Sequence, residues 1–372
     1  MKPTANPFFR QIFTGLHQGI YLTLVASAAL VSTAWSADLY WDSDPAAGGS
    51  VVATAPGTWG TDVFWNTDSG GAPGTLTAIT TNLDDLHFSA STDVTGSYAV
   101  TVDGAQSANR IIFEEGAVTL GGVGSSITLG GGGGANPGLS FVNATGANTI
   151  NTALVLGADA AFTNTVAFTQ AINGGVTGGF NLTLNANGAN GFNFGTGTIN
   201  NGGTITNSGT GAGSVTINTA IGSNVTSVIQ NSTTSKLVLN GIAATPGSFG
   251  SLVVKAGTVE ARNNGTVPLG TAAITLGDSV TNASDVSLIF QGTSASFSNA
   301  VTLESGTTGT ITIGTLNGNT AVNFSGGITG TNNFQINNGL GGTPNAQAFN
   351  FTTGALNNTG TITIVTSGGA GG

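Results

Sequence analysis

A short unit of an apolar residue, threonine and a second apolar residue recurs along the chain, and it limits the possible folds more than any other feature. The unit has the period-2 pattern of a half-buried β-strand, with apolar side chains on one side and a polar side chain on the other. Glycine and asparagine between the copies accept the positive φ of tight turns. The copies are Val100-Thr101-Val102, Val118-Thr119-Leu120, Ile127-Thr128-Leu129, Leu182-Thr183-Leu184, Val215-Thr216-Ile217, Ile274-Thr275-Leu276, Val301-Thr302-Leu303, Ile311-Thr312-Ile313 and Ile362-Thr363-Ile364.

This pattern predicts an all-β fold, and two all-β architectures compete. An antiparallel sandwich or barrel uses strands of about five or six residues, whereas most alternations here last three to five. A parallel β-helix solenoid stacks short strands coil on coil, with roughly 20–25 residues per coil, and lets Asn and Thr form ladders. The 61 glycines and a charged fraction of 6% exclude a long coiled coil. We therefore expect a parallel β-helix solenoid.

The first 36 residues have the pattern of a secretory signal peptide, which would form a helix. Lys2 and Arg10 supply the positive start, an uncharged apolar stretch covers residues 20–34, and small residues precede a cleavage site between Ser36 and Ala37. A transmembrane anchor is the alternative, but the stretch is short for a bilayer, which needs about 20 residues. The pattern therefore predicts an exported protein, either secreted or associated with the cell surface or outer membrane.

The charge balance of the exported chain limits its partners. Loss of residues 1–36 removes Lys2 and Arg10 but no acid, so the net charge changes from −10 to −12. Nucleic acid is an unfavourable partner for such a chain, since no basic stripe is present to neutralise phosphates. The chain has no cysteine, so disulfides cannot stabilise it.

Composition divides the exported part into two segments. Eleven of the sixteen acids lie between Asp38 and Glu115, and the tryptophans of the exported chain also lie in this segment. From Gly116 to Ser235 the only charged residue is Asp159. We therefore expect a signal peptide at 1–36, an acidic, Trp-containing β-rich N-terminal cap at 37–115, and a Gly/Asn/Thr-rich solenoid body at 116–372.

Residues 236–276 resemble the autotransporter-associated β-strand repeat of bacterial passenger domains. The resemblance lies in the segments KLVLNG from Lys236, GSLVVKAGTV from Gly250 and PLGTAAITL from Pro268. The N-terminal cap at 37–115, called the head below, shares LYWD from Leu39 with such proteins. It implies a right-handed parallel β-helix displayed at, or released from, the cell surface. No translocator barrel follows in this sequence, so we expect a separate protein or a downstream segment to supply one.

Reactive side chains are scarce after residue 36. His87 is the only histidine there, and it lies beside Asp84-Asp85. It could act as a general base, or it could be an ordinary surface or turn histidine. We expect Asp84-Asp85 to form a solvated turn, and Glu114 and Glu115 to point to opposite faces of a strand. The sequence therefore predicts no catalytic residue.

Two further groups in the head could bind ligands. Asp42 and Asp44 could share a face and bind a hard cation such as calcium, although no further fixed ligand is evident, and we expect no cofactor. The aromatic residues could line a platform for sugars, or they could plug the open end of the solenoid, which we favour. These aromatic residues are Tyr40, Trp41, Trp59 and Trp65.

Two functions follow from this pattern. The first is a non-enzymatic, stalk- or adhesin-like surface protein that binds cell-surface glycans or other surface proteins. The second is a polysaccharide lyase or hydrolase, for which charged residues between Lys236 and Glu304 could act together if Lys255 and Arg262 approach across neighbouring coils. Solvated charges on a turn face explain the same residues, so we favour the first function.

The C-terminal segment also predicts self-association. No charged residue follows Glu304, and charges are the usual protection against pairing at a strand edge.

Overall fold

The structure is a computed structural model that describes residues 36–44, 46, 49, 54–241, 249–263, 269–292, 295–316, 321–338 and 348–366. The predicted signal peptide lies outside these residues, except for Ser36. All regular secondary structure in the described part of the chain is β-strand. No helix long and apolar enough to cross a membrane occurs among the described residues.

The described residues form 34 strands. The strands of the first third are β1 (Asp38–Trp41), β2 (Gly57–Trp59), β3 (Trp65–Asn66), β4 (Leu76–Thr77), β5 (Asp85–Phe88), β6 (Ser97–Val102), β7 (Ala105–Ala108), β8 (Arg110–Phe113), β9 (Ala117–Gly121) and β10 (Ser126–Leu129). Those of the middle are β11 (Gly138–Phe141), β12 (Thr149–Ile150), β13 (Ala153–Leu156), β14 (Ala160–Asn164), β15 (Gln170–Ile172), β16 (Val176–Gly178), β17 (Leu182–Ala186), β18 (Phe192–Phe194), β19 (Thr204–Asn207), β20 (Val215–Ile217), β21 (Ser227–Asn231) and β22 (Leu237–Gly241). The last are β23 (Ser251–Asn263), β24 (Ala273–Leu276), β25 (Val286–Gly292), β26 (Ala295–Phe297), β27 (Val301–Leu303), β28 (Ile311–Thr315), β29 (Ala321–Phe324), β30 (Ile328–Gly330), β31 (Phe334–Asn338), β32 (Ala348–Phe351), β33 (Leu356–Asn358) and β34 (Ile362–Thr366).

Apart from β3 and β4, the strands fall into three rows, and neighbouring strands of a row pair in parallel. Row one runs β1, β5, β8, β11, β14, β17, β19, β21, β23, β24, β27, β30 and β33. Row two runs β2, β6, β9, β12, β15, β18, β20, β22, β23, β25, β28, β31 and β34. Row three contains β7, β10, β13 and β16, and later β26, β29 and β32. The predicted parallel β-solenoid is confirmed.

Coil length varies along the solenoid. The coil that joins Val100 to its partner Leu120 is short, whereas the coil that joins Ile328 to its partner Leu356 is clearly longer. Central coils are intermediate in length, as between the partners Val215 and Leu237. The expected length of roughly 20–25 residues per coil therefore holds for the short and the central coils, and the coil between Ile328 and Leu356 exceeds it.

Antiparallel pairing occurs near the beginning of the solenoid. There β3 pairs antiparallel with both β1 and β4. The parallel ladder of row one passes from β5 to β8 and on to β11. The change of composition at residue 116 therefore does not interrupt the ladder.

The apolar side chains of the alternating strands fill one continuous interior. Aromatic rings from successive coils stack there, with centroid separations of 5.6 Å between Phe88 and Phe113 and 4.6 Å between Phe113 and Phe141. Trp41 extends this column, 5.7 Å from Phe88. Burial of these large apolar surfaces stabilises the first coils.

Amide side chains form ladders between coils, as the sequence predicts. On the outward side of row two, Asn218 donates from Nδ2 to Oδ1 of Asn193 at 2.5 Å, and Asn240 donates to Asn218 at 2.8 Å. Inside the corner between rows one and two, buried Asn207 donates to Gln230 at 2.8 Å. Such bonds satisfy polar groups at positions where the chain turns away from the strand ladder.

Candidate functional site

A histidine, a tyrosine and several carboxylates lie next to one another on the outward face of row one. Because β1 and β5 pair in register, Tyr40 lies beside His87 and Asp38 lies beside Asp85. The alternate residues Leu39 and Leu86 are buried, so the polar residues share the outward face. Glu114 follows β8 and completes this group. We call Asp38, Tyr40, His87 and Glu114 the His87 cluster.

The His87 cluster places an imidazole between two carboxylates. His87 Nε2 lies 3.7 Å from Asp38 Oδ1, and Nδ1 lies 3.1 Å from Glu114 Oε2. The Tyr40 ring stacks on the imidazole with a centroid separation of 4.4 Å. Burial, together with the charges of Asp38 and Glu114, raises the pKa of Tyr40. Both ring nitrogens of His87 are buried, so the two carboxylates, and not the imidazole, are the groups that a bound ligand could reach.

The carboxylates of Asp84 and Asp85, which lie next to the His87 cluster, bind neighbouring segments of the chain. Asp84 is 6% exposed and accepts hydrogen bonds from the backbone N of Thr81 at 2.7 Å and of Ala37 at 3.1 Å. Asp85 forms an ion pair with Arg110, with 2.5 Å between Oδ2 and Nη2. The expectation of a solvated turn at Asp84-Asp85 is therefore wrong, because both side chains hold neighbouring segments together.

Glu114 and Glu115 point to opposite sides, as expected for adjacent residues of an extended segment. Glu115 is 4% exposed, and its Oε2 accepts hydrogen bonds from the backbone N of Val94 at 2.8 Å and from Oγ of Ser89 at 3.3 Å. Burial raises the pKa of Glu115 from 4.5 to about 7, and the hydrogen bonds only partly oppose this shift. Glu115 is therefore a titratable group at near-neutral pH beneath the 89–94 segment.

Glu115→Gln is expected to flatten the pH dependence of stability between about 4.5 and 7. The folded state holds the Glu115 proton more tightly than the unfolded state does. The bound proton therefore stabilises the fold fully below pH 4.5, and this stabilisation is lost as the pH rises through 7. Glutamine cannot ionise, so above pH 7 the variant should be more stable than the parent by roughly 3 kcal/mol. Urea unfolding at several pH values measures this difference. Glu114→Gln is the matched control and should keep the parent's slope; equal slopes for parent and Glu115→Gln would contradict the assignment.

The tryptophans of the head are interior residues. Trp41, Trp59 and Trp65 have no exposed surface. Trp41 donates from Nε1 to the carbonyl of Ala55 at 2.8 Å, and Trp59 donates to Oγ1 of Thr80 at 3.1 Å. The interpretation of these rings as a sugar-binding platform is therefore wrong, because no ring face is available for stacking. Tyr40 alone of the four predicted aromatics lies on the outward face, against His87.

Asp42 and Asp44 do not form an open pair. Asp42 is fully buried, and its carboxylate accepts hydrogen bonds from the backbone N of Asp44 at 3.0 Å and from Nδ2 of Asn66 at 2.8 Å. Burial raises the pKa of Asp42, and these hydrogen bonds partly oppose the shift. In the described ranges, no group of three or more His, Cys, Asp or Glu residues could hold a metal ion. The geometry therefore assigns Asp42 to the turn after β1.

The basic residues of the body belong to two separate ion-paired groups. Glu260 is 5% exposed and contacts both Lys236 and Arg262, whose Nε lies 3.0 Å from Oε2 of Glu260. Burial favours a higher pKa for Glu260, but the hydrogen bonds and charges of these two cations outweigh burial and lower it. Solvated charges on a turn face are therefore the wrong interpretation of Glu260.

The two cations of β23 do not come together. Lys255 lies in the half of β23 that belongs to row one, and its Nζ is 3.8 Å from Oδ2 of Asp278. Arg262 lies in the half that belongs to row two. The expectation that Lys255 and Arg262 approach each other is wrong, because the chain turns between them.

A polar groove crosses neighbouring coils on row two. It has a volume of about 400 Å³. The polar residues that line it are Thr169, Asn190, Asn193, Ser214, Thr216 and Asn218. Asn193 and Asn218 are hydrogen-bonded to each other, so their amides are held in fixed positions. Amides and hydroxyls in such an array can donate to and accept from the hydroxyls of a neutral ligand.

Comparison of the chain with protein families, with curated proteins and with solved structures found no significant match. The resemblance to the autotransporter-associated repeat therefore stays a prediction.

Proposed function

We propose that this chain is an exported, non-enzymatic β-helical protein of the cell surface or the secreted space, which binds glycans in the manner of a stalk- or adhesin-like passenger. The observation that carries the proposal is the polar groove on row two, with its ladder of neutral amides. Hydroxyl-rich polymers suit such a surface, because the amides and hydroxyls of neighbouring coils can both donate and accept hydrogen bonds along the groove. The net charge of −12 expected for the exported chain favours neutral glycans over polyuronates.

A binding assay with defined polysaccharides tests this proposal. We expect the purified protein to be retained on immobilised neutral glucan or galactomannan and to release neither reducing ends nor unsaturated uronates from either neutral or acidic polysaccharides. Asn193→Ala combined with Asn218→Ala should weaken retention at least tenfold, since both amides line the groove. Thr302→Ala, an exposed residue of row one, is the matched control and should bind as the parent does. Equal binding by the groove variant and the parent would contradict the proposal.

A polysaccharide-active enzyme is the second candidate, and the His87 cluster favours it. Asp38, whose side chain is 63% exposed, and Glu114 flank the buried nitrogens of His87, and these two carboxylates could transfer a proton to or from a sugar oxygen. The same assay separates the two functions. Product release by the parent that is lost in His87→Gln and retained in the groove variant would establish the enzyme and overturn the non-enzymatic proposal.

Two predictions about partners depend on other parts of the chain. The last described coil exposes apolar side chains at Leu356, Ile362 and Ile364, which matches the expected self-association through the C-terminal edge. That self-association, like a separate or downstream translocator, stays a prediction.

A further inference from the structure

Asp84 is a buried carboxylate, and its hydrogen-bond donors among the described residues are all neutral. Its Oδ1 accepts from the backbone N of Ala37 at 3.1 Å, and its Oδ2 accepts from the backbone N and Oγ1 of Thr81 at 2.7 and 2.8 Å. Within the part of the chain that the structure describes, each Lys and Arg is paired with another acid. A buried carboxylate is stabilised much more by a cation than by neutral donors.

Ala37 is fixed at this position by more than its contact with Asp84. Its carbonyl accepts a hydrogen bond from the backbone N of Asp85 at 2.9 Å, and its side chain packs against the apolar core. Ser36 is exposed, and the compact unit that contains the solenoid begins at Ser36. The peptide bond between Ser36 and Ala37 therefore lies at the border of the compact unit, where small residues also match a signal-peptidase site.

We propose that cleavage between Ser36 and Ala37 creates the missing cation, and that the new N-terminal ammonium of Ala37 forms an ion pair with Asp84. In this step a peptidase adds water to the Ser36 carbonyl, the C–N bond breaks, Ser36 leaves as a carboxylate, and the amine of Ala37 takes up a proton. The nitrogen already lies 3.1 Å from Oδ1 of Asp84. Cleavage therefore converts a neutral hydrogen bond into a charge-assisted one without moving the first strand.

This inference rests on the export part of the proposed function but not on glycan binding. The experiment produces the full chain in a Gram-negative bacterium, isolates the exported protein, and determines its N-terminal residue by sequencing and intact mass. We expect Ala37. An exported protein that begins at another residue overturns this inference alone, whereas an uncleaved chain retained in the cytoplasm overturns both this inference and the proposed export.

The pKa of the new amine tests the ion pair itself. The pH dependence of acylation by an N-hydroxysuccinimide ester reports this pKa, which is about 8 for a free α-amine. We expect the pKa of this amine to be at least one unit higher in the exported protein, which corresponds to about tenfold slower acylation at pH 7. Asp84→Asn should remove this protection, whereas Asp38→Asn, a control whose side chain is 63% exposed, should retain it.

If Asp84→Asn does not fold, the parent protein decides the question. The pKa of its amine is then compared in buffer and in urea. A folded-state pKa of about 8, equal to that of the unfolded chain, would overturn the ion pair.

Discussion

Gly257→Ala is expected to lower the free energy of unfolding by roughly 2–5 kcal/mol. Alanine is strained in the left-handed backbone conformation of this position, and its Cβ would also overpack the contact with the neighbouring coil. Gly257 has a φ of +78° at the point where β23 leaves row one and enters row two. A Cβ at this position would lie 1.8 Å from the backbone carbonyl O of Ser232 in the preceding coil. Because that atom belongs to the backbone, the clash can be relieved only by shifting one coil against another.

Gly124→Ala separates the two causes of this effect. Gly124 has a similar φ of +69°, but a Cβ there would meet no atom within 4 Å. The control should therefore show only the backbone penalty of about 1–2 kcal/mol. Urea unfolding of the parent and the two variants measures both differences. Equal losses for Gly257→Ala and Gly124→Ala would contradict the close packing of the coils at Gly257.

The strands and the solenoid were predictable because their cause is local. Alternating triplets such as Leu182-Thr183-Leu184 determine which side chains face inward, and glycine and asparagine mark the turns. The pairing of coils was not predictable, because it depends on turns of varying length. Val100 pairs with Leu120 and Ile328 pairs with Leu356, and because the second interval is longer than the first, no single repeat length describes both.

The same limit explains why the sequence did not reveal the His87 cluster. Tyr40 and His87 are neighbours because β1 and β5 pair in register, although the two residues are far apart along the chain. The usable signal was the alternation in each strand, which places Asp38 with Tyr40 and Asp85 with His87 on outward faces. The burial of Trp59 and of Glu260 likewise depends on which coil covers each of them, and composition does not show this.

A disulfide between neighbouring coils should form only if the parallel register is correct. Thr183 in β17 and Thr206 in β19 are partners in row one, and both side chains lie on the outward side of alternating strands. In-register strands lie about 4.8 Å apart, and this separation falls within the Cα range of disulfides. Since the chain has no cysteine of its own, any cross-link reports this pair alone.

The central claim is therefore tested most directly by oxidising Thr183→Cys/Thr206→Cys in the folded protein and measuring the disulfide yield by mass spectrometry. The matched control is Ala161→Cys/Thr206→Cys, whose positions lie two coils apart because Ala161 pairs with Thr183. Two coils span roughly 10 Å, which is beyond the reach of a disulfide. The parallel solenoid predicts near-complete cross-linking of the first pair and none of the second; no disulfide in the first pair, or equal yields in both, would contradict it.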